Sequence, residues 1–173
     1  MIFILVQDNI INYYNEKGSF IKDKCVEHNC PLNSLNKHNY LILDGDKIEE
    51  ELHSNQNKSV DCIIFKKNTD TNAEIKNVLL CELTSGSKRF EDLEEKFINS
   101  SKEIINCFNN LNMEGLKLKF LFLGKLKDSG QIVNMANSIK KYNKPLKVPN
   151  YFHTDTEIIY GNCRDSIDDF NIF

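Results

Sequence analysis

Two carboxylates are placed where a sequence rarely leaves them without a purpose. Asp61 falls in the apolar run Val60-Asp61-Cys62-Ile63-Ile64-Phe65, and Glu82 in the run Val78-Leu79-Leu80-Cys81-Glu82-Leu83-Thr84. Apolar runs of this length, joined by the polar, turn-rich connector from Lys66 to Asn77, read as paired strands. Strand side chains alternate, so Asp61 shares a face with Ile63 and Phe65, and Glu82 shares one with Leu80 and Thr84. A lone carboxylate in a buried strand is costly unless something compensates it, and a bound metal ion is the usual compensation. The plainer reading puts Asp61 at a strand start within reach of solvent and pairs Glu82 with a lysine.

Other residues compete for a chemical role. Glu49, Glu50 and Glu51 are consecutive acids just upstream, and Asp44 and Asp46 are alternatives to them. The hexapeptide Cys25-Val26-Glu27-His28-Asn29-Cys30 brings two thiols and an imidazole together, but its spacing is not that of a zinc finger or knuckle. His28, His38, His53 and His153 are scattered and make no pair at zinc-hydrolase spacing, and no Ser or Cys nucleophile is marked by a neighbouring motif. Six cysteines form no CxxC pair. Cys62 and Cys81 in the strands and Cys107 on a helix read as packing groups.

The elements that must position the two acids follow from periodicity. The chain breaks at Ser85-Gly86-Ser87 and continues as an amphipathic helix from about Phe90 to Leu111, with Leu93, Phe97, Ile104, Phe108 and Leu111 as its apolar stripe. Glu91, Asp92, Glu94 and Glu95 crowd its first turns, where the helix dipole favours negative charge. Leu116 to Gly124 reads as a further strand, reached by a parallel crossover through that helix. Tyr40 to Leu43 reads as a strand ended by the turn Asp44-Gly45-Asp46, with Gly45 supplying a left-handed conformation. Ile2 to Val6 is a short strand or a helix start, and Asp8 is placed to cap a helix over Asn9 to Glu16. Phe20 to Asn39 reads as polar and irregular. A helix over Gly130 to Tyr142, short edge strands at Tyr151 to His153 and Glu157 to Tyr160, and an acidic tail with aromatic ends complete the order.

The two acids and the helix after them resemble the core of the PD-(D/E)xK nuclease superfamily, in which an Asp on one strand precedes an acid-x-Lys triplet on the next. Asp61 matches the first acid, Glu82 the second, and Thr84 stands where the family has lysine. The match covers about fifty residues. It implies an α/β fold with a restriction-endonuclease-like core, a mixed central β-sheet flanked by helices. It also implies a metal site for Mg²⁺ or Mn²⁺ built on Asp61 and Glu82, with an upstream acid such as Glu50, and nucleic acid as substrate. Thr84 keeps the geometry of the triplet but cannot supply positive charge. Lys88, in the loop after the strand, is the expected replacement, and Lys96 on the helix is the alternative. If neither reaches the site, the resemblance implies a catalytically impaired homologue that binds nucleic acid or a partner protein.

Bulk properties set the frame. The chain of 173 residues fits one domain, 1–173, and its net charge of −3 argues against a generally basic nucleic-acid coat. Yet Gly115 to Asn150 holds eight lysines (117, 119, 125, 127, 140, 141, 144 and 147) against the single acid Asp128. That stripe suits a phosphate backbone, or else is the solvated side of two surface elements. The opening run lacks a basic leader and is too short to span a bilayer, so no membrane association and a reducing, cytoplasmic setting are expected. Nucleases of this type often act as homodimers, but the sequence marks no interface.

Overall fold

Strict alternation along five-residue strands sorts their side chains into two buried sets, and the fold follows from what covers each. The computed structural model describes residues 20–53, 57–66, 77–108, 117–127 and 158–173, the side chains of 52–53, 105–108 and 126–127 excepted. In chain order the strands are β1 (Ile21–Lys22), β2 (Val26–Glu27), β3 (Cys30–Pro31), β4 (Tyr40–Asp44), β5 (Cys62–Lys66), β6 (Asn77–Arg89), β7 (Lys117–Lys127) and β8 (Ile158–Gly161). Helix α1 (Gly45–His53) follows β4 and helix α2 (Phe90–Phe108) follows β6. Six strands form one sheet in the order β1-β4-β5-β6-β7-β8. The first four pair antiparallel, while β7 runs parallel to β6 and β8 parallel to β7, so the sheet is mixed and the fold is α/β. The expected parallel crossover through the long helix is present between β6 and β7.

One face of the sheet carries Leu43, Ile63, Phe65, Leu80, Phe120 and Phe122, packed under Ile48 of α1 and Leu93, Phe97 and Ile104 of α2. Phe97 meets Phe120 edge-on with ring centroids 5.2 Å apart. The opposite face carries Ile42, Cys62, Ile64, Leu79, Cys81 and Leu121. Helices were expected on both faces. Among the described residues the second face is covered by the β2–β3 hairpin, through Cys25, Cys30 and Leu32, and by the C-terminal segment, through Ile167 and Ile172; the helix expected at 130–142 lies outside them. The acidic tail is therefore docked: it forms a capped 3₁₀ turn (Ile167–Phe170), and Phe173 packs 5.7 Å from the Tyr40 ring. Burial on both faces is why the strands read as continuous apolar runs.

Several expectations are corrected. Asp44-Gly45-Asp46 is not a turn but a strand-to-helix junction, where Asp44 accepts the Lys47 N–H at 3.3 Å as a helix cap. Gly45 is required there by close approach, since a Cβ would lie 1.9 Å from the Val60 carbonyl oxygen. The Ser85-Gly86-Ser87 break does not end the strand: β6 passes through it with a register shift between Leu83 and Ser87, then resumes pairing at Ser87↔Lys125. Across the shift, Gly124 adopts φ +151°, and a Cβ there would come within 2.7 Å of Thr84 Cγ2. The segment read as irregular, Phe20 to Asn39, contributes edge strand β1 and the hairpin.

The cysteines are also corrected in part. Cys81 is a free, buried packing group as expected, but Cys62 is bonded to Cys25, and Cys30 to Cys163. His28 and Asn29, with φ of 44° and 61°, form the two-residue turn between β2 and β3. With both thiols tied up in disulfides, Cys25, His28 and Cys30 are not a metal site. Among the described residues no helix is long and apolar enough to cross a membrane. The elements expected at 2–6, 9–16, 130–142 and 151–153 lie outside the described residues, as do the lysines at 140–147 and the side chain of Cys107.

Candidate active site

Pairing of Cys62 with Cys81 makes Asp61 and Glu82 the next positions along two adjacent antiparallel strands, on the face that the helices cover. Asp61 is 4% exposed and Glu82 0%. Asp61 lies just before β5, where its Oδ2 accepts the Leu83 N–H at 2.6 Å. Burial first, and the Glu82 charge second, push the Asp61 carboxyl up to about 7, against the pull of Lys96 and the Leu83 hydrogen bond.

Glu82 is compensated by lysine from two elements. Lys96, in the second turn of α2, donates to both Glu82 oxygens at 2.9 Å. Lys88, on the extension of β6 beyond the bulge, donates to Oε1 as well. Both candidate replacements for the triplet lysine thus reach the second acid. Lys96 is itself raised, the charges of Glu82, Asp61 and Asp46 and its hydrogen bond to Glu82 outweighing the cost of burial, which is the largest single contribution. Thr84 is half-buried, and its Oγ1 is taken locally, accepting the Gly86 N–H at 3.1 Å within the bulge.

Among the upstream acids, Glu50 and its alternative Asp46 stand differently toward the pair. Glu50 and Asp46 are both exposed on α1, but it is the charge of Asp46, at the start of that helix, that bears on Asp61, Glu82 and Lys96. The reason is helix rise: Glu50 lies one turn, about 6 Å, further from the strand ends that carry the site. Desolvation raises the Asp46 carboxyl, with Asp44 and Glu82 adding to it and Lys96 opposing. Lys22 of β1 was not anticipated. Its amine meets Asp44 Oδ2 at 3.1 Å and the Asp61 carbonyl oxygen at 3.3 Å, closing the site from the sheet edge. Nothing in its spacing could have found it, because its distance in sequence from Asp61 is bridged only by the β1–β4 and β4–β5 pairings.

A second acidic pair was also missed. Glu49 of α1 and Glu103 of α2 are buried to 2% and 1% exposure between the two helices. Ser59 donates to Glu103 Oε2 at 3.0 Å, and the Asn57 N–H donates to Glu49 Oε1 at 2.9 Å. Glu103 Oε1 has no donor facing it, and the two carboxyls hydrogen-bond to one another only when one carries a proton. Burial, then Glu49, pushes Glu103 up to about 9. Ser100 is buried in the same network, its hydroxyl 3.0 Å from Ser59 Oγ and accepting the Val60 N–H at 3.0 Å.

Among the described residues no three His, Cys, Asp or Glu side chains are grouped so as to hold a metal ion. Asp61 and Glu82 nevertheless fit Mg²⁺ by donor type and number, because that ion takes one or two protein carboxylates and completes its shell with water and substrate phosphate. Of the lysine stripe, Lys117 and Lys125 are exposed at opposite ends of β7, and Lys119 is half-buried. No family model, curated protein or solved structure matches the chain.

Proposed function

We propose that the chain is a metal-dependent nuclease that hydrolyses DNA or RNA phosphodiester bonds at a PD-(D/E)xK-like site. The observation that carries this reading is the convergence of Lys88 and Lys96 on Glu82, beside Asp61. It returns to the site the positive charge that Thr84 cannot supply. Asp61 and Glu82 would hold Mg²⁺ or Mn²⁺, with Asp46 as the further acid whose charge reaches them. When bound, the ion lowers the pKa of a water and stabilises charge on the phosphate.

The chain's own groups do the rest. The Leu83 N–H fixes the Asp61 carboxylate in one orientation. Lys96 and Lys88 meet the buried Glu82 carboxylate, and an amine released from it would orient the attacking water and meet negative charge on the phosphate. The test is incubation of single- and double-stranded DNA and RNA with Mg²⁺ or Mn²⁺. Cutting that disappears in Asp61→Ala and Glu82→Ala supports the reading, and no cutting of any of the four substrates rejects it.

A second reading has its own support. Both Glu82 oxygens are already engaged by lysine, an arrangement that holds the site together without an ion. A catalytically impaired nuclease-fold protein, acting as a nucleic-acid-binding, accessory or inhibitory protein, would keep this arrangement. Salt-dependent binding of nucleic acid with no cutting would favour it.

A further inference from the structure

Lys88 and Lys96 also line an open cleft of about 470 Å³, whose other walls are Lys58, Ser87, Arg89 and Asp92. The two inner lysines reach down to Glu82. The two outer cations, Lys58 and Arg89, converge on one carboxylate. Lys58 meets Asp92 Oδ1 at 3.2 Å and Glu95 Oε2 at 2.8 Å, and Arg89 meets Asp92 Oδ2 at 3.2 Å. Arg89 and Lys58 together hold the Asp92 carboxyl below the ordinary carboxylate range. Two cations meeting a single carboxylate are spaced for one anionic group, and both are largely exposed, so the ion pairs are weak and open to exchange. Every lining side chain is charged or a hydroxyl. Such a surface offers phosphates charge and hydrogen bonds, but gives bases no aromatic ring to stack on.

We infer that this cleft binds the phosphodiester backbone next to the scissile phosphate, with Lys58 and Arg89 displaced from Asp92 and Glu95 onto phosphate oxygens and no base being read. The inference rests on the nuclease reading for the position of the scissile group. Its test does not depend on cutting.

Fluorescence anisotropy is measured in EDTA with short labelled duplex DNA, single-stranded DNA and RNA of unrelated sequences, across a potassium chloride series. Binding is expected to be indifferent to sequence. Lys58→Gln and Arg89→Gln are each expected to weaken it severalfold and to lower the slope of log affinity against log salt by about 1. Lys37→Gln, exposed in the loop before β4, is the control and is expected to leave both unchanged. Because Lys58 also ties its segment to α2, Asp92→Asn supplies a second arm: removal of the competing carboxylate is expected to tighten binding. Wild-type affinity and slope in both cation variants would overturn the inference, as would sequence-dependent binding. Should the cation variants fail to fold, Asp92→Asn binding no tighter than wild type overturns it. Loss of cutting with intact Lys58- and Arg89-dependent binding would remove the nuclease reading and leave the cleft. Cutting that depends on Asp61 while binding ignores Lys58 and Arg89 would do the reverse.

Discussion

Glu82 carries its charge with none of its surface in water, so its cost depends on the amines that meet it. Lys96 touches both oxygens and is the better buried partner, with 15% of its side chain exposed against 27% for Lys88. Lys96→Met is therefore expected to destabilise the fold by up to about 3–5 kcal/mol, the usual cost of stranding one member of a buried pair. Lys88→Met is expected to cost less. In a Glu82→Gln background the Lys96 penalty should shrink, because no buried charge is left unpaired, and urea unfolding of the four variants measures that coupling directly. Equal penalties in both backgrounds would show that Lys96 acts through packing alone. At this scale the sequence was informative about type and silent about direction. Strand alternation assigned each acid a face of its own strand, but only the fold could show that the two faces coincide and that Lys88 and Lys96 both turn toward Glu82.

Helices α1 and α2 each bring one residue to the site, Asp46 and Lys96, and they meet each other through Glu49 and Glu103. A carboxyl whose folded pKa is raised binds more protons folded than unfolded, so stability falls as pH rises between the two values. For Glu103 that window runs from the ordinary glutamate range, about 4.3, up to about 9. Asp61 acts in the same direction over a lower window ending at about 7. Melting temperature is accordingly expected to fall from pH 5 to pH 9 in the wild type (about the span of the two windows). It should fall less steeply in Glu103→Gln, with parallel profiles counting against a shared proton. Phe97→Ala, which empties the contact with Phe120 beneath α2, is expected to cost about 3–5 kcal/mol in the same unfolding measurement. The long helix, the central strands and the crossover were legible because each has its own period. The hairpin was not, since β2 and β3 are two residues each and owe their place to long-range bonds that leave no local pattern. The strand running through Ser85-Gly86-Ser87 was hidden for a related reason: β7 continues the ladder past residues that favour a turn.

Over the whole molecule, two disulfides tie the hairpin across the sheet, Cys25 to the start of β5 and Cys30 to the residue chain beyond β8. Both hold down the cover of the second face, and Cys62 is the immediate neighbour of Asp61. Replacing Cys30 and Cys163 together by serine is expected to cost about 2–4 kcal/mol, measured by thermal unfolding of the oxidised protein. Disulfides persist in oxidising compartments and open in reducing ones. Alkylation of the protein at the moment of cell lysis, followed by intact-mass measurement, therefore tests the expectation of a reducing, cytoplasmic setting. All of this scaffolding matters for function only if the paired acids and their lysines act on a phosphodiester. The decisive measurement is the single-turnover cutting rate, with Mg²⁺ and with Mn²⁺, of the wild type beside Asp61→Asn and Glu82→Gln, each verified as folded. The account predicts cutting by the wild type and a loss of about a hundred- to a thousandfold in each variant, in line with removal of a principal electrostatic group. Undiminished cutting by both variants, or none by the wild type on any nucleic acid, would contradict it.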